Sequence, residues 1–341
     1  MASGGEHTAP TLEVVAERAG VSRATASRVL RGATNVSDKA REAVQRAAAE
    51  ISYRPNLAAR ALVTKRSDSI AFLVTESGDR LFNDPYFLGM LRGAQTTVAA
   101  AGMQLIFIIA STQAEAENFE HYARGGHVDG VLLVSLHGDD QLPQRLEALG
   151  VPTVLNGRPI SDDESIYYVD SDNIGGGRLA TQHLIDRGAR RIATITGPMD
   201  MTAGLDRLAG YRQAMNDAGL KPLKKHIVPG DFSVEGGAAA MTRLLRDDPT
   251  IDGVFAASDL TALGALSVIA ANGRSVPNDI SVVGFDDIRE ADLVNPGLTT
   301  VRQPLDAMGQ SMARKLLERI TGQAAERITV LPVSLVPRLS A

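Results

Sequence analysis

The stretch Thr11-Leu12-Glu13-Val14-Val15-Ala16-Glu17-Arg18-Ala19-Gly20-Val21-Ser22-Arg23-Ala24-Thr25-Ala26-Ser27-Arg28-Val29-Leu30 decides how this chain is built. Small or apolar residues at Val15, Ala16 and Ala19 turn one face of a first short helix inward, and Val21, Ala26, Val29 and Leu30 do the same for a second. Ala16 leaves room for two helices to cross steeply. Gly20 supplies the unhindered backbone of a left-handed turn, and Ser22 offers its hydroxyl as the N-cap of the second helix. This is the helix-turn-helix layout, whose second helix enters the DNA major groove. The outward positions Arg23, Ala24, Thr25, Ser27 and Arg28 suit that role, because arginine forks onto guanine and small hydroxyls, Ser22 among them, reach phosphates. An ordinary helical hairpin with a glycine turn would show the same local pattern, and this stretch alone does not separate the two.

The residues beyond Leu30 separate them. Ser37, with Asp38 in the first turn, caps a third helix expected over Lys39 to Ile51, with Ala43, Val44, Ala47 and Ile51 inward. Then come Tyr53-Arg54-Pro55-Asn56 and Leu57-Ala58-Ala59-Arg60-Ala61-Leu62. In order and spacing, these runs resemble the LacI family of bacterial repressors, and the resemblance continues to the end of the chain. It implies that residues 56–67 are a hinge that becomes helical on the operator beside its two-fold mate. Asn56, Ala59 and Leu62 then meet DNA, Leu62 as a minor-groove wedge. Read without the family, the segment is a linker with one incidental leucine, too short for a stable helix alone.

Composition fits a globular chain with a basic head. Of 341 residues, 44% are hydrophobic and 22% charged. There is no cysteine, hence no disulfide or thiolate metal site. Residues 1–66 carry 11 Lys and Arg against 6 Asp and Glu, whereas the formal net charge of the whole chain is -5. Only the first segment is therefore built to meet phosphate. Residues 1–9 have neither an apolar core nor a basic cluster; we read them as a disordered lead-in and not a signal peptide. No apolar run reaches membrane-spanning length. The expectation is a cytoplasmic protein without a membrane partner.

From Ser69 onward short β-rich runs alternate with helical ones. The runs are 70–74, 104–110, 130–135, 153–155, 192–195, 253–257 and 281–285, with helices expected over 89–101, 175–187, 209–218 and 260–272. Alternation of this kind predicts parallel sheets covered by helices. Val128-Asp129-Gly130-Val131-Leu132-Leu133-Val134-Ser135 is echoed by Ile251-Asp252-Gly253-Val254-Phe255-Ala256-Ala257-Ser258, which suggests two similar halves. The resemblance implies the periplasmic-binding-protein-like fold. The fold class is thus a small all-α helix-turn-helix domain plus an α/β body of two parallel-sheet subdomains. Expected boundaries are 10–55 for the helix-turn-helix, 56–67 for the hinge and 68–341 for the body. The body divides into a first subdomain over 68–167 and 302–327 and a second over 168–301 and 328–341.

Ligands of open α/β sheets sit beyond the carboxyl ends of strands. Sugars call for planar forks, carboxylates and an aromatic face. Residues at expected strand ends include Asn156, Arg158, Ser258, Asp259, Asp286 and Asp287. The resemblance assigns Arg207, placed just before a helix start, and Asp286 to ligand hydroxyls. It also assigns Phe232 to stacking, where relatives often have tryptophan, and Asp84, Tyr86 and Phe87 to the first subdomain's side. Many relatives carry asparagine in place of Ser258. Bland roles compete: Asp170, Asp259 and Asp287 as caps or loop braces, Arg158 as a surface ion pair, Phe232 as core. Gly175-Gly176-Gly177 is not a dinucleotide fingerprint, and no metal-ligand spacing, phosphate loop or nucleophile elbow is present. We expect no cofactor, no metal and no enzymatic activity.

Four segments (83–87, 127–137, 156–159 and 169–177) resemble the actinobacterial repressors of cellulose and cello-oligosaccharide use. That implies a repressor released from a pseudo-palindromic operator by cellobiose or a related β-glucoside. The alternatives are a corepressor-dependent regulator, for a purine for example, and a sugar-binding protein without DNA function. A homodimer is expected, because one helix-turn-helix reads one half-site. Residues 329–341 contain Pro332 and Pro337 and no heptad repeat that could build a tetramer.

Overall fold

Among the described residues, the first of two units, which divide at Ser67/Asp68, holds the helices Leu12–Arg18 (α1), Arg23–Leu30 (α2) and Asp38–Glu50 (α3). The computed structural model describes residues 10–30, 33, 35–53, 66–161 and 163–341. The lead-in over 1–9 and the expected hinge contacts Asn56, Ala59 and Leu62 lie outside the described residues. In the first unit Val15, Ala16, Ala26, Val29, Val44, Ala47 and Ala48 close a small core. Gly20 sits at φ +63°, and the Val21 N–H returns to the Ala16 carbonyl at 3.0 Å, so the chain reverses within one turn. Ser37 caps α3 by accepting from the Ala40 N–H at 3.4 Å.

The second unit holds two six-stranded sheets. The first contains Ser69–Val74 (β1), Gln104–Ile109 (β2), Gly130–Val134 (β3), Thr153–Asn156 (β4), Tyr167–Ser171 (β5) and Ile328–Leu331 (β11). Its order is β11-β5-β4-β3-β1-β2, and its pairs are parallel. The second contains Ile192–Thr196 (β6), Ile227–Pro229 (β7), Gly253–Ala256 (β8), Ser281–Asp286 (β9), Thr299–Arg302 (β10) and Ser334–Val336 (β12). Its order is β12-β10-β9-β8-β6-β7, with β12 antiparallel to β10. Position by position the two orders correspond, and the echoed segments are the matching strands β3 and β8. The aspartate of each echo plays the same part. Asp129 accepts from the Asp68 N–H at 3.0 Å, just before β1. Asp252 accepts from the Arg191 N–H at 2.8 Å, just before β6.

The chain crosses between the halves at Asp172, at Gln303-Pro304 and at Pro332-Val333, each crossing a few residues from where the sequence places it. Residues 168–171 and 328–331, expected in the second subdomain, belong to the first sheet, where Tyr168 pairs with Ile328. Arg302, expected in the first, ends β10 of the second. The cause is local: Val169 packs in the first sheet's core, and Pro332, with no N–H to donate, ends β11.

Helices cover both sheets: Gly78–Asn83 (α4), Pro85–Ala100 (α5), Gln113–Arg124 (α6), Leu142–Ala148 (α7), Asn173–Asp186 (α8), Thr202–Asp217 (α9), Val234–Asp247 (α10), Asp259–Ala271 (α11), Arg289–Leu293 (α12) and Leu305–Ile320 (α13). Two begin earlier than their apolar periodicity suggests. Asp84 caps α5 by accepting from the Tyr86 N–H at 3.0 Å, and Pro85 follows in the first turn. Helix α9 starts at Thr202, so Arg207 lies inside a helix and not before one. The pairs α5–α13, α8–α9 and α10–α11 cross backbone to backbone at glycines. A β-carbon on Gly210 would lie 2.1 Å from the Ile174 carbonyl oxygen, and one on Gly309 2.0 Å from that of Met90.

Candidate functional site

Two places bring the candidate residues together, one in each unit. On α2, Arg23, Ala24 and Arg28 are exposed, while Thr25 and Ser27 are half-buried. Ser22 caps the helix, accepting from the Thr25 N–H at 3.1 Å and sharing a hydrogen bond with the Thr25 hydroxyl at 2.9 Å. Its oxygen thereby shapes the helix start. Arg23 pairs with Glu13 of α1 at 2.8 Å, and the Arg28 Nε donates to the Ala24 carbonyl at 3.3 Å. Both guanidinium groups remain on an exposed face as the forks that base edges require.

In the second unit a cleft opens between the two sheets. It lies where each sheet reverses its strand order: β1 lies between β2 and β3, and β6 between β7 and β8. The carboxyl ends of those strands diverge there and leave a crevice. Asp84, Tyr86, Phe87, Asn156, Arg158, Arg207, Phe232, Ser258 and Asp286 all line it.

Arg207 stands at its centre, buried on α9. Its Nε donates to the Asn173 Oδ1 at 2.8 Å, its Nη1 to the Ala257 carbonyl at 2.5 Å, and its plane lies 3.7 Å from the Phe285 ring centroid. A guanidinium held on two sides and stacked on a third is pre-organised. Asp286 lies 3.6 Å from it, too far for a direct fork, and accepts from the Gln303 Nε2 at 2.6 Å. Burial pushes the Asp286 carboxyl up to about 7, and Arg207 pulls the other way. Asp170, buried alongside, is pushed up to about 6. It accepts from the backbone N–H groups of Ser171 and Arg158 and from Asn173. Burial also raises the Asp84 carboxyl and the Tyr86 phenol, whose hydroxyl donates to the Asn156 Oδ1 at 2.8 Å.

Three cleft residues other than glycine have left-handed backbones: Ser135 at φ +68°, Phe232 at +65° and Asp286 at +115°. Such conformations are costly and persist where the surroundings over-determine them. Phe232 is buried with its ring 5.4 Å from the Arg207 guanidinium and 5.5 Å from that of Arg80. Arg158 lines the cleft, but its Nη2 binds both carboxylate oxygens of Asp206, at 2.8 and 3.0 Å, and thereby ties the halves together. Ser258 spends its hydroxyl on capping α11, accepting from the Thr261 N–H at 3.1 Å. Asp259 and Asp287 take the bracing roles. Asp259 holds the Ile288 N–H and the Thr300 hydroxyl, and Asp287 pairs with Arg302 and Arg338.

Arg80, Asn173, Thr202 and Gln303 also line the cleft, and sequence reasoning misses them. Asn173 stands one residue after the cap Asp172, and Gln303 one before a proline; both are legible as turns, not as ligand groups. Arg80 sits in a polar insertion with no periodic signal, and its Nε is buried without a partner. Among the described residues there is no cluster able to hold a metal ion and no helix long and apolar enough to cross a membrane.

A model of bacterial regulatory proteins of the lacI family matches residues 11–56, and one of a periplasmic-binding-protein-like domain matches 181–341. The HTH-type transcriptional regulator CelR of Thermobifida fusca is 49% identical over 333 residues, spanning 97% of this chain and 98% of that protein. The chain belongs to the LacI family. Two solved structures agree with that placement. A lac repressor dimer bound to operator and the anti-inducer ONPF superposes at TM-score 0.85 with 31% identity, covering 98% of this chain and 99% of that one. A CelR–cellobiose complex superposes at 0.79 with 47% identity, covering 97% and 100%. As a LacI-family member the chain is a DNA-binding transcriptional repressor, and α2 lies within the matched segment.

Proposed function

We propose that this repressor binds a pseudo-palindromic operator as a homodimer and is released by cellobiose or a related β-glucoside held in the cleft. The observation that carries the effector assignment is the near full-length likeness to a regulator solved with cellobiose. The cleft supports it physically. Arg207 and Asp286 converge from the second half, Asp84, Tyr86 and Asn156 from the first, and Phe232 offers an aromatic face. A ligand bridging the halves favours one arrangement of them, and it acts only through its difference in affinity for the two. Arg23, Ala24 and Arg28 read the major groove, with Ser22, Thr25 and Ser27 on phosphates; Asn56, Ala59 and Leu62 contact DNA from the hinge. The protein works in the cytoplasm, where the operator is, and catalyses no reaction.

The test is operator binding with and without cellobiose, for the wild type and Arg207→Ala. We expect cellobiose to weaken operator binding by the wild type. The variant should bind operator nearly as well yet ignore the sugar, because its charge-assisted bonds to hydroxyls are gone. Release of the variant at wild-type sugar concentrations would remove Arg207 from the site. Tightened binding by the wild type would make the ligand a corepressor.

A further inference from the structure

At one edge of the cleft mouth a single imidazole joins the two halves. His137 follows β3 in the first half, between the cleft-lining residues Leu136 and Gly138. Its Nε2 lies 3.0 Å from Glu76 Oε1, in the loop after β1, and its Nδ1 lies 2.9 Å from Asp200 Oδ2. Asp200 belongs to the second half, on the loop between β6 and α9, next to the cleft residue Met201. The Gly138 N–H also crosses, to the Asp200 carbonyl at 2.8 Å.

The geometry restricts the protonation state. A neutral imidazole has one N–H and one bare lone pair, and only the imidazolium donates from both nitrogens. Here both nitrogens face carboxylate oxygens. The Glu76 end is fixed: Glu76 is buried, and the same oxygen accepts from Ser135 Oγ at 2.5 Å and pairs with Arg80 at 2.9 Å. The Asp200 end is loose, with that side chain 55% exposed. Neutral His137 keeps its hydrogen on Nε2 and points a lone pair at Asp200. The clasp then opens between the halves.

We propose that His137 is a positioning residue for effector binding: charged, it clasps the two halves across the cleft mouth, and neutral, it releases Asp200. This inference rests on the effector reading above. The charged groups facing the imidazole are Glu76 and Asp200, with Arg80 behind Glu76. The bond from Glu76 raises the His137 pKa, burial opposes it, and the bond from Asp200 raises it further. The clasp is therefore complete below the ordinary histidine value of about 6.5 and is lost as pH rises through the raised value. Without effector the halves hold the clasp only part of the time, which already raises the His137 value; closing on an effector completes it and takes up the remaining fraction of a proton, so binding is tighter at low pH.

The experiment has a sugar-free arm and a sugar arm, both on the full chain. In the first, histidine labelled at Cε1 is titrated by NMR, the His137 signal being identified by its loss in His137→Gln. We expect His137 to titrate above the ordinary value and Asp200→Asn to lower it. In the second, cellobiose affinity is measured at pH 6 and pH 8. Asp170 and Asp286 titrate in the same window in every variant, so the difference between proteins isolates His137. The wild type should lose about fivefold more affinity over this range than His137→Gln or Asp200→Asn, as a shift of most of a pKa unit on closure would give. A His137 that titrates normally and ignores Asp200→Asn overturns the clasp, as does equal pH dependence in all three proteins. No cellobiose binding at either pH, with the NMR signature intact, overturns the effector reading and leaves the clasp standing.

Discussion

Asp286 combines a left-handed backbone, burial and a carboxyl pushed up to about 7, a costly combination for the fold. Asn at this position keeps an oxygen for the Gln303 amide and removes the buried charge. Because the folded value exceeds the unfolded one, the wild type loses stability relative to Asp286→Asn as pH rises from about 4 to about 7. We expect equal melting temperatures at pH 4 and a variant more stable by roughly 0.5–2 kcal/mol at pH 8, with weaker cellobiose binding. A thermal-melt series over pH, beside a sugar titration, checks both; a less stable variant at pH 8 would mean the carboxylate is satisfied without ligand. On α2, Arg28→Ala should cost about 1–3 kcal/mol of operator affinity and relax preference at one symmetric base pair. Equal losses on random DNA would reassign Arg28 to phosphate. At this scale the sequence is informative where chemistry and strand ends coincide, as at Asn156 and Asp286, whereas Arg207, inside α9, is reached only through the family resemblance. It is silent on partners: nothing near Arg158 in the chain announces Asp206, 48 residues on.

Helix α9 carries Arg207, and its distance from α8 is set by Gly177 and Gly210. A β-carbon on Gly177 would meet the Arg207 carbonyl at 2.3 Å, and one on Gly210 that of Ile174 at 2.1 Å. Gly210→Ala must push the helices apart at a cost of about 1–3 kcal/mol, and it moves Arg207 against Asn173 and Ala257. Gly309→Ala, at the α5–α13 crossing, should cost a similar amount without moving Arg207. Calorimetry and cellobiose titration of both variants separate the effects: sugar affinity falls steeply in the first only, and equal falls would show that general loosening is responsible. The long apolar strands and the glycine-rich helices are readable from sequence because their periods extend over many residues. Strands β5, β7, β10, β11 and β12 are not, since they mix polar residues into a short run or lie at a sheet edge, and so lack the continuous buried apolar run that marks the equally short β3 and β8. The crossings fall a few residues away from their expected places for the same reason.

Charge divides the molecule by function. The first 66 residues carry the excess of Lys and Arg, and the remainder carries more Asp and Glu. Operator binding should therefore fall on the order of a thousandfold between 50 and 200 mM salt, as counterion release demands for several phosphate contacts. Binding of an uncharged sugar in the cleft should barely change over the same range. Parallel salt series on the two ligands would show this, and a salt-sensitive sugar affinity would place the site elsewhere. Operator and sugar must also weaken each other by the same factor, ordinarily worth ~1–3 kcal/mol. The three crossings have one more consequence, for the order in which the body folds. The first sheet lacks an edge until β11 arrives, and its core needs Met308, Met312 and Leu316 of α13. The second waits for β12 and for Ser340, whose buried hydroxyl takes the Thr299 N–H at 2.8 Å and reaches the Val282 carbonyl at 2.6 Å. Neither half can finish during synthesis while the other waits; both remain open-edged until residues 328–336 have left the ribosome. The nascent body therefore exposes two unfinished sheets at once, and that interval, more than the finished fold, is where chaperones and aggregation compete for it.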